Sequence, residues 1–162
     1  MKNWGSRTRE VAHLLNPAFC ARLLYGTIST YNIETQHGFP FPLIYLILPL
    51  LLHKHTREKI SSRTQLLVWI QRNEKLLVTF AERAKQLVPI TNEALEWLMQ
   101  CEIIIIGTAA ELEVVHAKQS LSKTAFADDE MKSCINKSEH VAKWFAKAGK
   151  VETIFYGLGV RP

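Results

Sequence analysis

Six histidines, three cysteines and a scatter of carboxylates are the groups in this 162-residue chain that could do chemistry. His53 and His55 stand two apart with Glu58 the only carboxylate nearby, a set that could begin a metal site. On a helix end, that spacing points the two rings in different directions. A solvated helix C-terminus, where His and Lys complement the negative end of the dipole, accounts for them better. Cys20, Cys101 and Cys134 are odd in number and far apart, with neither a disulfide framework nor the close pairs of a zinc site. Their apolar contexts are those of inert packing thiols. There is no nucleophile elbow, glycine-rich phosphate loop, HExxH or paired Asp cluster. Glu111 and Glu113 suit the solvent face of a strand as well as they would suit a general base. The expectation is a non-enzyme without catalytic residues, metal or cofactor.

Binding is the better-supported chemistry. Lys54, Arg57, Lys59 and Arg63 form a basic collar that Arg7 and Arg9, or Lys143 and Lys147, could join. Its functional reading is contact with phosphates or an acidic protein; the plainer one is a solvated helix end. Each phosphate contact would steepen the salt dependence of binding by about 0.9. Trp4 and Trp144 join the collar as contact candidates because Trp and Arg are favoured interface anchors. A partly buried core position would explain Trp144 equally well. The net charge of +5, from 20 Lys and Arg against 15 Asp and Glu, permits an acidic partner without demanding one.

The elements that position these groups are mostly helical. From Phe39 to Leu52 every residue is apolar or proline, and the chain then turns abruptly to the collar. A membrane span needs about 20 apolar residues, so this run reads as a central helix covered on most sides by protein. Pro42 fits its first turn and Pro49 would kink it near its end. Before it, Asn16-Pro17 starts a helix with Phe19, Leu23, Leu24, Thr27 and Ile28 on one face, and Gly26 allows a close helix crossing. After it, Ser61, Ser62 or Thr64 can cap a helix that breaks at Asn73, and a further helix from Glu74 ends at Pro89. Thr91 caps a short helix to Gln100. Residues 101–106 and 111–115 then change period and form a β-hairpin. A last long helix ends at Gly149, and Ile154, Phe155 and Leu158 are expected to bury the tail.

The fold class is therefore mainly α with a small β-hairpin (α+β), a compact helical domain over residues 1–162. It contains a winged-helix-like unit at about 74–116. The would-be recognition helix, residues 92–100, carries Glu93 and Glu96 and neither Lys nor Arg. Base and phosphate contacts favour Arg, Lys, Asn and Gln, so this helix is a poor DNA reader. No secretory signal is legible at the N-terminus, and the unpaired cysteines point to a reduced, cytoplasmic setting.

Several pieces together resemble a known family. They are Asn16-Pro17-Ala18, the run from Pro40 to Leu50 with His53 and Thr56-Arg57, the series Phe80, Arg83, Leu87, Pro89, Thr91 and Ala94-Leu95, and the ending Ile154-Phe155 with Leu158 to Pro162. They look like the middle component of three-component ABC systems, similar to the middle subunit of Lamassu antiphage defence, over nearly the whole chain. The resemblance implies a non-catalytic adaptor between an SMC-like ABC ATPase that senses DNA and an effector such as a nuclease. DNA would be met through the complex rather than alone, with no membrane involved. The alternative is a free-standing winged-helix regulator that binds DNA.

Overall fold

The computed structural model describes residues 15–115 and 128–161. Helix α1 (Pro17–Thr35) starts as its sequence dictates: Asn16 Oδ1 accepts from the Ala18 N–H at 2.9 Å and Pro17 occupies the first turn. Its residues Phe19, Leu23, Leu24 and Ile28 are buried. Strand β1 (Phe39–Pro40) and a 3₁₀ turn (Phe41–Leu43) lead into α2 (Ile44–Leu52). This is the central helix, and all its residues except Tyr45 and Leu52 are buried, Pro49 included. Protein covers it on every side that an apolar helix must hide.

The collar does not close α2 as a frayed, charged end. His53 has extended backbone and is the N-cap of a separate helix, α3 (Lys54–Lys59), where its ring accepts from the Thr56 N–H. Helix α4 (Leu66–Arg72) follows from Gln65, without the expected Ser or Thr side-chain cap, and ends at Asn73 as expected. A single turn, α5 (Glu74–Leu77), precedes the long helix α6 (Phe80–Gln100).

Helix α6 runs straight through Pro89, where the sequence predicts two helices. The buried residues Phe80, Ala84, Thr91, Ala94, Leu95 and Leu98 keep one helical stripe on both sides of the proline. Pro89 itself is exposed, so the carbonyl it frees can turn to water. Thr91 Oγ1 donates back to Leu87 O at 2.9 Å beside it. Tertiary burial of one long stripe outweighs the local signal to stop.

The hairpin forms where expected, as β2 (Ile104–Ile106) and β3 (Glu111–Val114). A third strand was not foreseen: β1, from the start of the apolar run, pairs antiparallel with β3 through Phe39↔Leu112, giving the order β1-β3-β2. The sheet thus takes a strand from outside residues 74–116. Helix α7 (Asp129–Ala148) is capped by Asp128 and stopped by Gly149 at φ +79°. It crosses α1 at Gly26, where a Cβ would meet Ser138 Oγ at 2.8 Å. Helix α8 (Val151–Gly157) completes the fold, and Ile154, Phe155 and Leu158 are buried as predicted. Buried residues of α1, α2, α6, α7 and α8 join in one hydrophobic cluster. The fold is mostly helical with a small three-stranded antiparallel sheet.

Candidate functional site

The collar splits into an internal half and a surface half. Arg57 is 2% exposed. Its guanidinium donates to Leu51 O at 2.7 Å and forms an ion pair with Glu130 of α7. It is no surface contact, because the chain itself uses its charge to tie α3 to α7. Thr56 is buried beside it, and its Oγ1 lies 2.7 Å from His53 Nδ1. Arg83 of α6 donates to Thr56 Oγ1, to Leu76 O and to Thr79 Oγ1, and its guanidinium lies 5.5 Å from the centre of the Phe80 ring. Thr56 thus joins His53 to Arg83 and fixes the short helices against α6, while Arg57 beside it fixes them against α7. Burial, helped by the neighbouring Arg83, His55 and Arg57, pushes the His53 pKa below its usual value. Among the described residues, no group of three or more His, Cys, Asp or Glu is placed to hold a metal ion.

Trp144 is also internal. It is 3% exposed, its ring packs 5.2 Å from that of Trp69, and its indole N–H donates to Thr64 O. Of the two readings the sequence left open for Trp144, the structure takes the core position, and the residue pins the 61–65 loop to α7. Trp4 lies outside the described residues. Lys54, Lys59 and Arg63 remain exposed.

Around the Trp144 anchor the structure gathers basic side chains that the sequence separates by about eighty positions. Arg63, His140, Lys143 and Lys147 line a cleft of about 220 Å³ with Ser62 and Thr64. Lys143 also approaches Glu34 at 3.6 Å, so its charge is shared. This cleft brings Arg63 together with Lys143 and Lys147, one of the groupings the sequence allowed. Arg7 and Arg9 lie outside the described residues.

A second concavity was not legible in the sequence. The start of α6, the 3₁₀ turn with α2, and the chain after α8 enclose a groove of about 790 Å³. Phe41, Tyr45, Val88, Phe155 and Val160 line it, with Glu82, Lys85 and Arg161 as its charged residues. Its walls are separate segments, and nothing in their local patterns says that they leave a trough between them.

Residues 4–162 match the family model of the ABC-three component (ABC-3C) system Middle Component 3. The chain belongs to that family. No curated protein and no solved structure matches it. As a middle component it works with the other components of such a system. Among its described residues, no helix is long and apolar enough to cross a membrane. The family-like stretch around His53 and Thr56-Arg57, and Arg83 with it, supplies this middle component's internal contacts rather than its exposed face.

Proposed function

We propose that this middle component is a non-catalytic adaptor of a bacterial antiphage or anti-plasmid defence complex of the Lamassu kind. It joins an SMC-like ABC ATPase that senses DNA to an effector such as a nuclease, in the cytoplasm. The family match over residues 4–162 carries this reading. Support comes from surfaces of different chemistry on one small chain: the basic cleft at Arg63 and Lys147, and the apolar groove beside α6. An adaptor needs to hold unlike partners at once. Lys54, Lys59 and Arg63 are its candidate contacts with acidic groups, of a partner or of DNA held in the complex.

Within that reading, the order helix, strand, helices and hairpin, with the sheet order β1-β3-β2, supports a winged-helix-like unit over residues 17–115. This is wider than the 74–116 of the sequence reading, inside one middle-component domain. Its α6 presents Glu93 and Glu96 where a DNA reader would carry cations, which favours a protein-binding use.

The test is co-expression with the genes encoded beside it, followed by size-exclusion chromatography at low and high salt. Co-elution with an ATPase and an effector that survives high salt is expected. Lys54→Glu and Arg63→Glu should fold normally and weaken assembly or its engagement of DNA. A chain that runs alone and binds duplex DNA by itself would instead establish the free-standing regulator.

A further inference from the structure

Strand β2 is an outer strand of the sheet, and among the described residues its strand partner is β3 alone. Val115 N–H donates to Ile103 O, and Gly107 N–H donates to Glu111 O. In an antiparallel ladder, hydrogen-bonded and non-hydrogen-bonded pairs alternate. Ile103, Ile105 and Gly107 therefore turn their backbone groups toward β3, while Ile104 and Ile106 turn theirs outward.

The opposite side of β3 is sealed. There β1 ends in Pro40, which has no N–H to offer. Past it, the Asn32 side chain stands in for a strand: Oδ1 accepts from Val114 N–H at 3.1 Å, and Nδ2 donates to Leu112 O at 3.2 Å. Among the described residues, strand β2 has no such guard. Proteins blunt outer strands with lysine, proline or a bulge; β2 is three isoleucines, of which Ile105 and Ile106 are about half exposed, at 48% and 45%.

The surroundings say what such an edge would accept. Residues 91–115 contain not one Lys or Arg, and their exposed carboxylates include Glu96 and Glu113. Glu113 is exposed and sits directly across from Ile105, on the same face of the sheet. Trp97 and Met99 are exposed on the last turn of α6, which leads into β2.

We infer that the outer edge of β2 receives an extended strand from a partner protein, one that alternates apolar side chains with Lys or Arg. Main-chain bonds to Ile104 and Ile106 supply the register, and the carboxylates select for a basic strand. A second copy of this chain is a poor occupant, because it would bring like-charged edges together. Nucleic acid is poorer still, since its phosphates would face the same carboxylates.

This inference rests on the adaptor reading, and hydrogen exchange on the chain alone and on the co-purified complex separates the two. The amides of Ile104 and Ile106 should exchange freely in the chain alone and at least tenfold more slowly in the complex. Ile106→Pro removes one outward N–H and leaves the β2–β3 bonds in place, so it should keep the melting temperature and lower co-purification of one component at least tenfold. Glu113→Lys should do the same without touching the backbone. A complex that forms normally with both variants, with its Ile104 and Ile106 amides still exchanging, overturns the strand site and leaves the adaptor standing. Amides already protected in the chain alone also overturn it, as does protection by duplex DNA or by self-association. Failure of the wild-type chain to co-purify with any component would sink both.

Discussion

A guanidinium taken out of water must use its donors, and Arg57 uses its terminal nitrogens on Leu51 O and Glu130 while its Nε finds no partner among the described residues. Removing one member of a buried pair costs about 3–5 kcal/mol. Glu130 keeps part of its surface in water, so we expect Arg57→Ala to cost about 3 kcal/mol, the low end of that range. Urea unfolding measures it, and Arg57→Glu should cost more, with a carboxylate set against Glu130. A loss of assembly in either variant would then report lost fold and not a lost contact. An unchanged unfolding midpoint would mean that the pair is immaterial. Burial first, and then the nearby Arg83, His55 and Arg57, hold the pKa of the neighbouring His53 down. Its ring accepts a backbone N–H to cap α3, and its folded-state pKa lies below the ordinary 6.5. The unfolded chain therefore binds this proton first as pH falls, so stability declines on acidification through that window and is fully present above it. His53→Asn retains an N-cap acceptor and should flatten the pH dependence of the melting temperature as pH falls below the ordinary histidine range. A slope identical to wild type would place the titration elsewhere.

At the scale of elements, what the sequence made legible was whatever a local pattern encodes. The Asn16 cap, the break at Asn73, the hairpin, the Gly149 stop and the buried tail residues each depend on a few adjacent residues, and each stands where it was expected. The misreadings are those in which a distant element decides. Pro89 stops a helix only if nothing holds both halves, and a continuous buried stripe holds them. Phe39-Pro40 looks like the lip of a helix until β3 arrives from more than seventy residues away to pair with it. Arg57 looks like a surface anchor until Glu130 claims it, and the choice left open for Trp144 is made only when its indole meets Thr64. Gly26 is the case in which local and distant readings agree. An alanine there gains about 1 kcal/mol of helix propensity. Its Cβ, however, would sit 2.8 Å from Ser138 Oγ, which is itself bonded to Ile135 O. Forced overpacking costs about 1–3 kcal/mol, so Gly26→Ala should destabilise the protein. In a Ser138→Ala background the clash disappears and the same change should become neutral or stabilising. A double-mutant cycle without that reversal of sign would show that the crossing of α1 and α7 relaxes freely.

The whole molecule sorts its charge by element. Cations from the 61–65 loop and the second half of α7 converge on the cleft at Trp144, whereas residues 91–115 carry carboxylates alone. A modest net charge of +5 thus hides two surfaces of opposite sign, which suits a chain that touches unlike partners. If the complex grips DNA through the basic cleft, the salt dependence of its binding must show it. Each phosphate contact contributes about 0.9 to the slope of log affinity against log salt. Arg63 and Lys147 line the cleft without a carboxylate partner among the described residues, whereas Lys143 is held near Glu34. Arg63→Gln with Lys147→Gln should therefore lower the slope of the complex by about 1.8, and Lys143→Gln alone by less than 0.9. Neutral substitutions are the right probe, since reversed charges would add repulsion to the lost contact. A slope unmoved by the double variant would assign the DNA to other subunits and leave the cleft to an acidic protein surface, in which case the same variants should weaken co-elution with the ATPase or the effector instead.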